Sequence, residues 1–209
     1  MRKDMDDLQF LVHFFNDREY LLKTITMAGV AQMDEICEAI SSQRGWYWPR
    51  FAKSERQAYL ERRRFVENEL YEGFTREYGS LKEKAPVYFY LIPGITKQKA
   101  IERARRRTDH DETEPRVLMV RIQDIEDTRN MTFTLSDSHI AYRKKATESG
   151  INCRGDADVN TVLADHNQVF PFAMIEQLHR KYRAQAIYYE VQIWDYDLLE
   201  GMGYTILGE

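Results

Sequence analysis

Apolar residues along this chain fall into short runs that predict β-strands, and most of these runs lie in the second half. The first run, Phe10–Phe15 (FLVHFF), carries one polar residue, His13. Runs of this length, rich in β-branched and aromatic residues and bounded by turn residues, are typical of buried strands. We therefore predict strands at Phe10–Phe15, Val87–Ile92, Arg116–Ile122, Met131–Leu135, Ala186–Trp194 and, as a short edge strand, Tyr204–Leu207.

Helical periodicity lies mainly between the first strand and the others. Apolar residues recur at intervals of three and four over 16–29, 33–41 and Glu55–Tyr78, and shorter helices are predicted at Thr96–Arg107 and Ala173–Arg183. Residues 144–168 show little periodicity and many Gly, Asn, Asp and Ser residues, so we predict a long loop there.

The longest predicted helix has clear boundary signals. Ser54 and Gln57 have the spacing of a capping box, and Gly79 supplies a stop. The helix carries many charged residues between its apolar positions, and we expect them to face solvent. These residues are Glu61, Arg62, Arg63, Arg64, Glu67 and Glu69.

The order of elements predicts an α+β protein with mixed or mostly antiparallel sheets. Because no repeat or linker interrupts the chain, we expect 1–209 to be a single domain. Within it, 16–79 forms a helical elaboration and 86–209 forms the β-rich part.

Polar residues inside two predicted strands are the first sign of a functional site. Glu190 and Gln192 lie two apart in the last long strand, so both side chains project from the same face. A buried carboxylate needs a partner or a ligand, and the cluster Ser136–His139 follows another strand directly. Taken alone, Glu190 is more often a salt-bridged strand residue, and His13 more often a hydrogen-bonded core histidine.

Composition narrows the class of protein. The sequence has 209 residues with a formal net charge of −4, so nothing drives the whole chain towards nucleic acid. Cys37 and Cys153 match no metal spacing and favour a reducing compartment. Neither a signal peptide nor a membrane span is evident, and we expect a cytoplasmic protein with no membrane partner.

Motif searches remove several chemistries. The sequence has no phosphate loop, no dinucleotide-binding glycine motif, no nucleophile elbow and no paired-histidine metal motif. The acidic stretch Asp109–Asp111 has flanks typical of an exposed loop, so we predict no metal site.

One helix is strongly basic. Thr96–Arg107 carries cations that would suit phosphate contacts, and the same residues near a helix C-terminus also favour the helix dipole. Both interpretations stay open for Lys97, Lys99, Arg103, Arg105, Arg106 and Arg107.

The order of several short segments resembles that of the ADP-ribosyltransferase fold. The segments are LVHFF, YLLKTITMAG, PVYFYL, VLMV, TFTLSDSHIA and a Gln185-Ala186 pair before the last long strand. Among the branches of that fold, the chain is most similar to the DarT-type DNA ADP-ribosyltransferase toxins. The resemblance covers most of the chain thinly, and the order of the segments carries it.

The resemblance implies an NAD-binding cleft formed by the sheets, with NAD as a substrate. It implies that His13 holds the nicotinamide-side ribose and that Glu190 is the catalytic carboxylate. It further implies NAD contacts from Tyr88, Tyr90, Arg103 and His139, although His139 could equally cap a turn. The candidates for contact with a nucleic-acid acceptor are Lys97, Arg105, Arg106, Arg107 and Gln192.

The chain departs from the family pattern at the last strand. There Ile187 follows Gln185-Ala186 where the family has its glutamate, and Glu190 comes three residues later. Two function classes therefore remain: an enzyme that transfers ADP-ribose to nucleic acid or protein, and a non-catalytic binding or regulatory protein on the same fold, with DNA or RNA as a possible partner. Oligomeric state is left open.

Overall fold

A computed structural model describes residues 7–15, 22, 24–27, 32–38, 53–107, 116–151, 165, 167–185 and 188–207 of the chain. These residues form an α+β protein built on one seven-stranded sheet. Every pairing in the sheet is antiparallel. The prediction of an α+β class with antiparallel strands is confirmed, and the strands form one continuous sheet instead of several.

The seven strands include all six that the apolar runs predict. They are β1 (Phe10–Phe15), β2 (Val87–Leu91), β3 (Arg116–Arg121), β4 (Met131–Thr134), β5 (Phe170–Pro171), β6 (Tyr189–Ile193) and β7 (Thr205–Leu207). Their order across the sheet is β5-β4-β6-β2-β1-β3-β7. Strand β2 is therefore flanked by β1 and β6, which brings the strand of His13 and the strand of Glu190 to either side of it.

The helices lie between the strands in sequence. They are α1 (32–38), α2 (Arg56–Tyr78), α3 (Lys97–Arg107), α4 (Ser138–Ala141), α5 (Arg143–Glu148), α6 (Ile175–Tyr182) and α7 (Tyr196–Gly201). No helix in the described part of the chain is long and apolar enough to cross a membrane.

Two details of these helices correct the sequence-based expectations. Helix α2 has Glu55 as its N-cap with no side-chain cap, so the predicted capping box at Ser54 is wrong. Arg56, the first residue of α2, instead forms ion pairs with Asp34 and Glu38, which ties the helix start to α1. Residues 144–148 of the predicted loop belong to the helix Arg143–Glu148.

Some predicted features lie outside the described residues. Of the predicted helix 16–29, the structure describes residue 22 and 24–27, with a 3₁₀ turn at Ile25–Met27. The stretch Asp109–Asp111 and most of 152–166 are not among the described residues. In the part of the chain that is described, no group of three His, Cys, Asp or Glu side chains is arranged to hold a metal ion.

The two faces of the sheet differ in what covers them. One face carries the main core, in which Phe89, Phe133 and Val191 pack against α6 and α7. On the other face α2 covers Trp194, and α3 separately covers Val12 and its neighbours on β3. Between these two apolar clusters lies a strip of mainly polar and aromatic side chains, here called the polar strip, on β2, on β6 and on the residue before β6: Tyr88, Tyr90, Tyr188, Glu190 and Gln192.

Candidate functional site

Glu190 stands in the middle of the polar strip between α2 and α3. It pairs with Tyr90 on β2 and with Thr134 on β4, and Tyr90 in turn pairs with Val12 on β1. Paired residues share a face, so the Glu190 side chain projects with those of Thr134 and Tyr90 towards the two helices. It is buried, with 4% of its surface exposed.

The two carboxyl oxygens of Glu190 have unequal surroundings. Oε1 accepts hydrogen bonds from the Ser138 backbone N–H (3.2 Å), the Ser138 hydroxyl and the Gln192 amide (3.3 Å). Oε2 has no hydrogen bond to any described residue. Among the described side chains, the Tyr88 hydroxyl is the only polar atom that is fully buried and has no hydrogen bond, so Oε2 is not fully buried. Oε2 therefore lies in the small part of Glu190 that remains accessible.

A chain of hydrogen bonds leads to Oε1 from the sheet interior. The Trp194 indole N–H donates to Thr132 Oγ1 (2.8 Å), and the Thr132 hydroxyl donates to Gln192 Oε1 (2.8 Å). The Gln192 amide nitrogen then donates to the Glu190 backbone carbonyl (3.1 Å) and to its Oε1. The side chains of Trp194, Thr132 and Gln192 are completely buried, so this series of hydrogen bonds lies within the packed interior.

The turn after β4 brings Ser138 to Glu190. The Thr134 hydroxyl donates to the Ser136 carbonyl (2.7 Å), which closes the turn. Asp137 then caps α4, because its carboxylate accepts from the backbone N–H groups of His139 (2.9 Å) and Ile140 (3.3 Å). These bonds fix Ser138 at the first position of α4, where its N–H and hydroxyl both point at Glu190.

Electrostatics favour the neutral form of Glu190. Burial, and next the nearby Asp137 carboxylate, raise the pKa of Glu190 from 4.5 to about 8, against the lowering effect of the Ser138 and Gln192 hydrogen bonds. No described basic side chain forms an ion pair with Glu190, so the salt-bridge alternative, with Arg121 or Arg143 as partner, is not found. A buried carboxyl without a cation is suited to a positively charged ligand or transition state.

His13 contacts the same central strand from the other side. Pairing between β1 and β2 ends at Val12–Tyr90, and His13 Nδ1 donates to the Tyr88 carbonyl at 2.7 Å. Since a carbonyl only accepts, the proton is on Nδ1 and Nε2 remains an acceptor. Burial, with the positive charge of Arg63 acting in the same direction, lowers the pKa of His13 despite the Tyr88 bond.

His13 and Glu190 do not share one sheet face. Strand alternation directs His13 towards the main core with Leu11, and its ring contacts Phe89 at 5.4 Å between centroids. Val12, next to His13, is two strand spacings from Glu190, about 10 Å. The two residues are thus neighbours across β2, joined through Tyr88, without direct contact.

A buried ion pair on α2 covers Tyr88. Arg63 bonds to Glu67 (2.9 Å) and to the Tyr59 hydroxyl (2.9 Å), and its guanidinium carbon lies 4.7 Å from the centre of the Tyr88 ring. Glu67 is 3% exposed, so the expectation that Arg63 and Glu67 belong to a solvated face is wrong. Burial raises the pKa of Glu67, although Arg63 and the Thr26 and Tyr88 hydroxyls act to lower it.

The Tyr88 hydroxyl needs a partner that the described residues do not supply. It is fully buried and meets the geometry of no hydrogen bond, even though it is near enough to Glu67 to affect that carboxyl's pKa. Buried hydroxyls without a partner are uncommon in folded proteins. His139 stands at the same edge, with its ring stacked on Tyr59 at 6.4 Å.

Tyr90 and Arg103 lie towards α3. The Tyr90 ring contacts Tyr188 edge-on at 5.5 Å, and both pack beside the α3 cluster. Beyond β2 a groove of about 530 Å³ has an apolar floor at Ile92 and Ile95. Its rim carries Lys99, Glu102 and Arg103.

The residues predicted to face nucleic acid are divided between two places. Lys97 and Arg105 are exposed on α3, and Arg106 and Arg107 belong to the same helix, with side chains outside the described part. Gln192 is fully buried and bonded to Thr132 and Glu190, so its amide is not at the surface. The structure brings Glu190, Gln192, His139 and Tyr88 together, with His13 adjacent, whereas Arg103 and the α3 cations stand apart.

Sequence reasoning missed the roles of Ser138, Arg63 and Glu67. Arg63 and Glu67 have the spacing of an i,i+4 pair, which was a usable signal.

Compared with protein-family models, curated proteins and solved structures, the chain matches none.

Proposed function

We propose that this protein binds NAD and transfers ADP-ribose from it to an acceptor, with Glu190 as the catalytic carboxylate. The observation that carries the proposal is the buried carboxyl of Glu190, which forms no ion pair with any described residue, and whose Oε1 is fully occupied while Oε2 is accessible. The resemblance in segment order to ADP-ribosyltransferases supplies the substrate.

The chemistry suits this carboxyl. The nicotinamide ring of NAD is cationic, and breaking its bond to ribose C1′ leaves positive charge on the sugar. A carboxylate held in a site with little water stabilises that charge as it develops. Binding of the cationic substrate also favours the ionised form of Glu190, which burial otherwise disfavours.

The remaining residues have consistent roles in the proposal. Neutral His13 offers Nε2 as an acceptor for a ribose hydroxyl, two strands away from Glu190 on the far side of β2. Tyr88 and Tyr90 supply hydroxyls and ring faces along β2 between them. Arg103, on the rim of the groove beyond β2, supplies positive charge for the phosphates of NAD.

The test is NAD binding by calorimetry on the wild-type protein, His13→Ala and Glu190→Gln. We expect wild-type binding, weaker binding by His13→Ala, and binding without nicotinamide release by Glu190→Gln. Nicotinamide release is measured with nucleic acid or protein present as acceptor. Absence of wild-type binding at millimolar NAD refutes the proposal.

A second candidate is a non-catalytic protein that binds nucleic acid through α3. Its support is that Lys97, Lys99 and Arg105 are exposed while Ala100 and Ala104 anchor the helix to the sheet. This function predicts binding of DNA or RNA that weakens steeply with salt and is unaffected by Glu190→Gln. Binding that does not depend on salt, or that persists after Lys97→Ala with Arg105→Ala, excludes it.

A further inference from the structure

The two carboxyl oxygens of Glu190 differ in their hydrogen bonds, which indicates that they have different roles. We propose that Ser138 and Gln192 are positioning residues that keep Oε1 occupied, so that Oε2 is the oxygen that meets the substrate and takes up a proton. This inference rests on the proposed function and assigns the residues that would control its catalytic group.

The direction of each hydrogen bond towards Oε1 is forced. An indole N–H can only donate, so Thr132 Oγ1 accepts from Trp194 and its own proton goes to Gln192 Oε1. The Gln192 carbonyl is thereby occupied, and its NH₂ group is directed at Glu190. The orientation of the Gln192 amide is therefore set by its neighbours, since a flip would lose the hydrogen bond from Thr132 and those to Glu190.

Ser138 also supplies donors to Oε1. Its backbone N–H can only donate, and its hydroxyl donates to Oε1 when Glu190 is ionised, because an ionised carboxylate oxygen only accepts. The Ser138 and Gln192 N–H groups are directed at Oε1 in either form of Glu190, so these two donors occupy the positions at which Oε1 would carry a proton. In the neutral form of Glu190 the proton must be on Oε2, which has no described partner.

The proposed reaction transfers ADP-ribose from nicotinamide to the acceptor. The bond from ribose C1′ to nicotinamide breaks, and its electron pair leaves with nicotinamide. The acceptor's oxygen or nitrogen forms the new bond to C1′ and loses a proton. Oε2 of ionised Glu190 takes up that proton, while the donors on Oε1 keep the carboxyl in a fixed rotamer.

The test follows the ionisation of Glu190 directly, without substrate. Glutamate labelled with ¹³C at the side-chain carboxyl is titrated by NMR, and Glu190→Gln assigns the signal. Ser138→Ala and Gln192→Met each remove a donor that favours the charged form, so we expect each to raise the titration midpoint by about one pH unit. Thr147→Ala, which removes an exposed hydroxyl bonded within α5, is the control and leaves the midpoint unchanged.

Two variants keep the inference testable if one fails to fold, since circular dichroism identifies the folded one. An unchanged midpoint in a folded Ser138→Ala or Gln192→Met protein overturns the inference. In an active protein, we also expect Ser138→Ala to lower kcat by about tenfold or more with NAD affinity nearly unchanged. Shifted midpoints in a protein that neither binds nor cleaves NAD would support the positioning roles and overturn the proposed function alone.

Discussion

The raised pKa of Glu190 makes a prediction about stability that does not depend on function. In the unfolded chain the carboxyl has its usual pKa of 4.5, and in the folded protein burial raises it to about 8. Between these pH values the unfolded chain is ionised at Glu190 while the folded protein holds a proton. The contribution of Glu190 to the free energy of unfolding is fully present below pH 4.5 and is lost as the pH rises towards about 8.

The perturbation is Glu190→Gln, which imitates the neutral carboxyl. The glutamine carbonyl keeps an acceptor for the Ser138 and Gln192 donors, so the packing is retained. Each pKa unit corresponds to about 1.4 kcal/mol, so ionisation of Glu190 costs about 3 to 5 kcal/mol at high pH. That is a large part of the free energy of unfolding of a typical domain, which is roughly 5–15 kcal/mol.

The assay is urea unfolding of both proteins at about pH 5 and about pH 9. We expect similar stabilities at the lower pH and a more stable Glu190→Gln protein at the higher pH. The control is Glu200→Gln, which replaces an exposed carboxylate on α7 and should change the free energy of unfolding by less than about 0.5 kcal/mol at either pH. A difference between Glu190→Gln and wild type that stays constant from pH 5 to pH 9 refutes the reasoning.

Two further predictions concern activity and the ion pair on α2. If ionised Glu190 is the reactive form, kcat/KM for NAD rises with pH and levels off above about 8, and a profile flat between pH 6 and 9 contradicts this assignment. Arg63→Met leaves the buried Glu67 carboxylate without its cation and should cost about 3 to 5 kcal/mol in urea unfolding. Adding Glu67→Gln should restore much of that loss, whereas a single-variant cost below about 1 kcal/mol would show that the pair is solvated.

Most of the sheet could be predicted because six of its strands coincide with apolar runs in the sequence. The run Val87–Ile92 ends within a residue of β2, and Pro93 and Gly94 mark its end. Strand β5 could not be found in this way, since Phe170–Pro171 is two residues long and exists only through its pairing with β4. The start of α2 was predicted to within one residue, but its capping box was wrong because ion pairs of Arg56, not a side-chain cap, hold the first turn.

The candidate site was only half predictable, because its two parts meet through strand pairing. The sequence marks Glu190 and the Ser136–His139 cluster separately, and nothing local shows that Ser138 bonds to Glu190, 52 residues away. The contact depends on the register that sets Thr134 opposite Glu190. A slip by one residue would turn Phe133 into the polar strip and Thr134 into the main core, so the apolar alternation of β4 forbids it. The packing pattern that builds the core thus also decides which side chains surround Glu190, and Ser138 reaches the carboxyl because Met131 and Phe133 are buried on the opposite face.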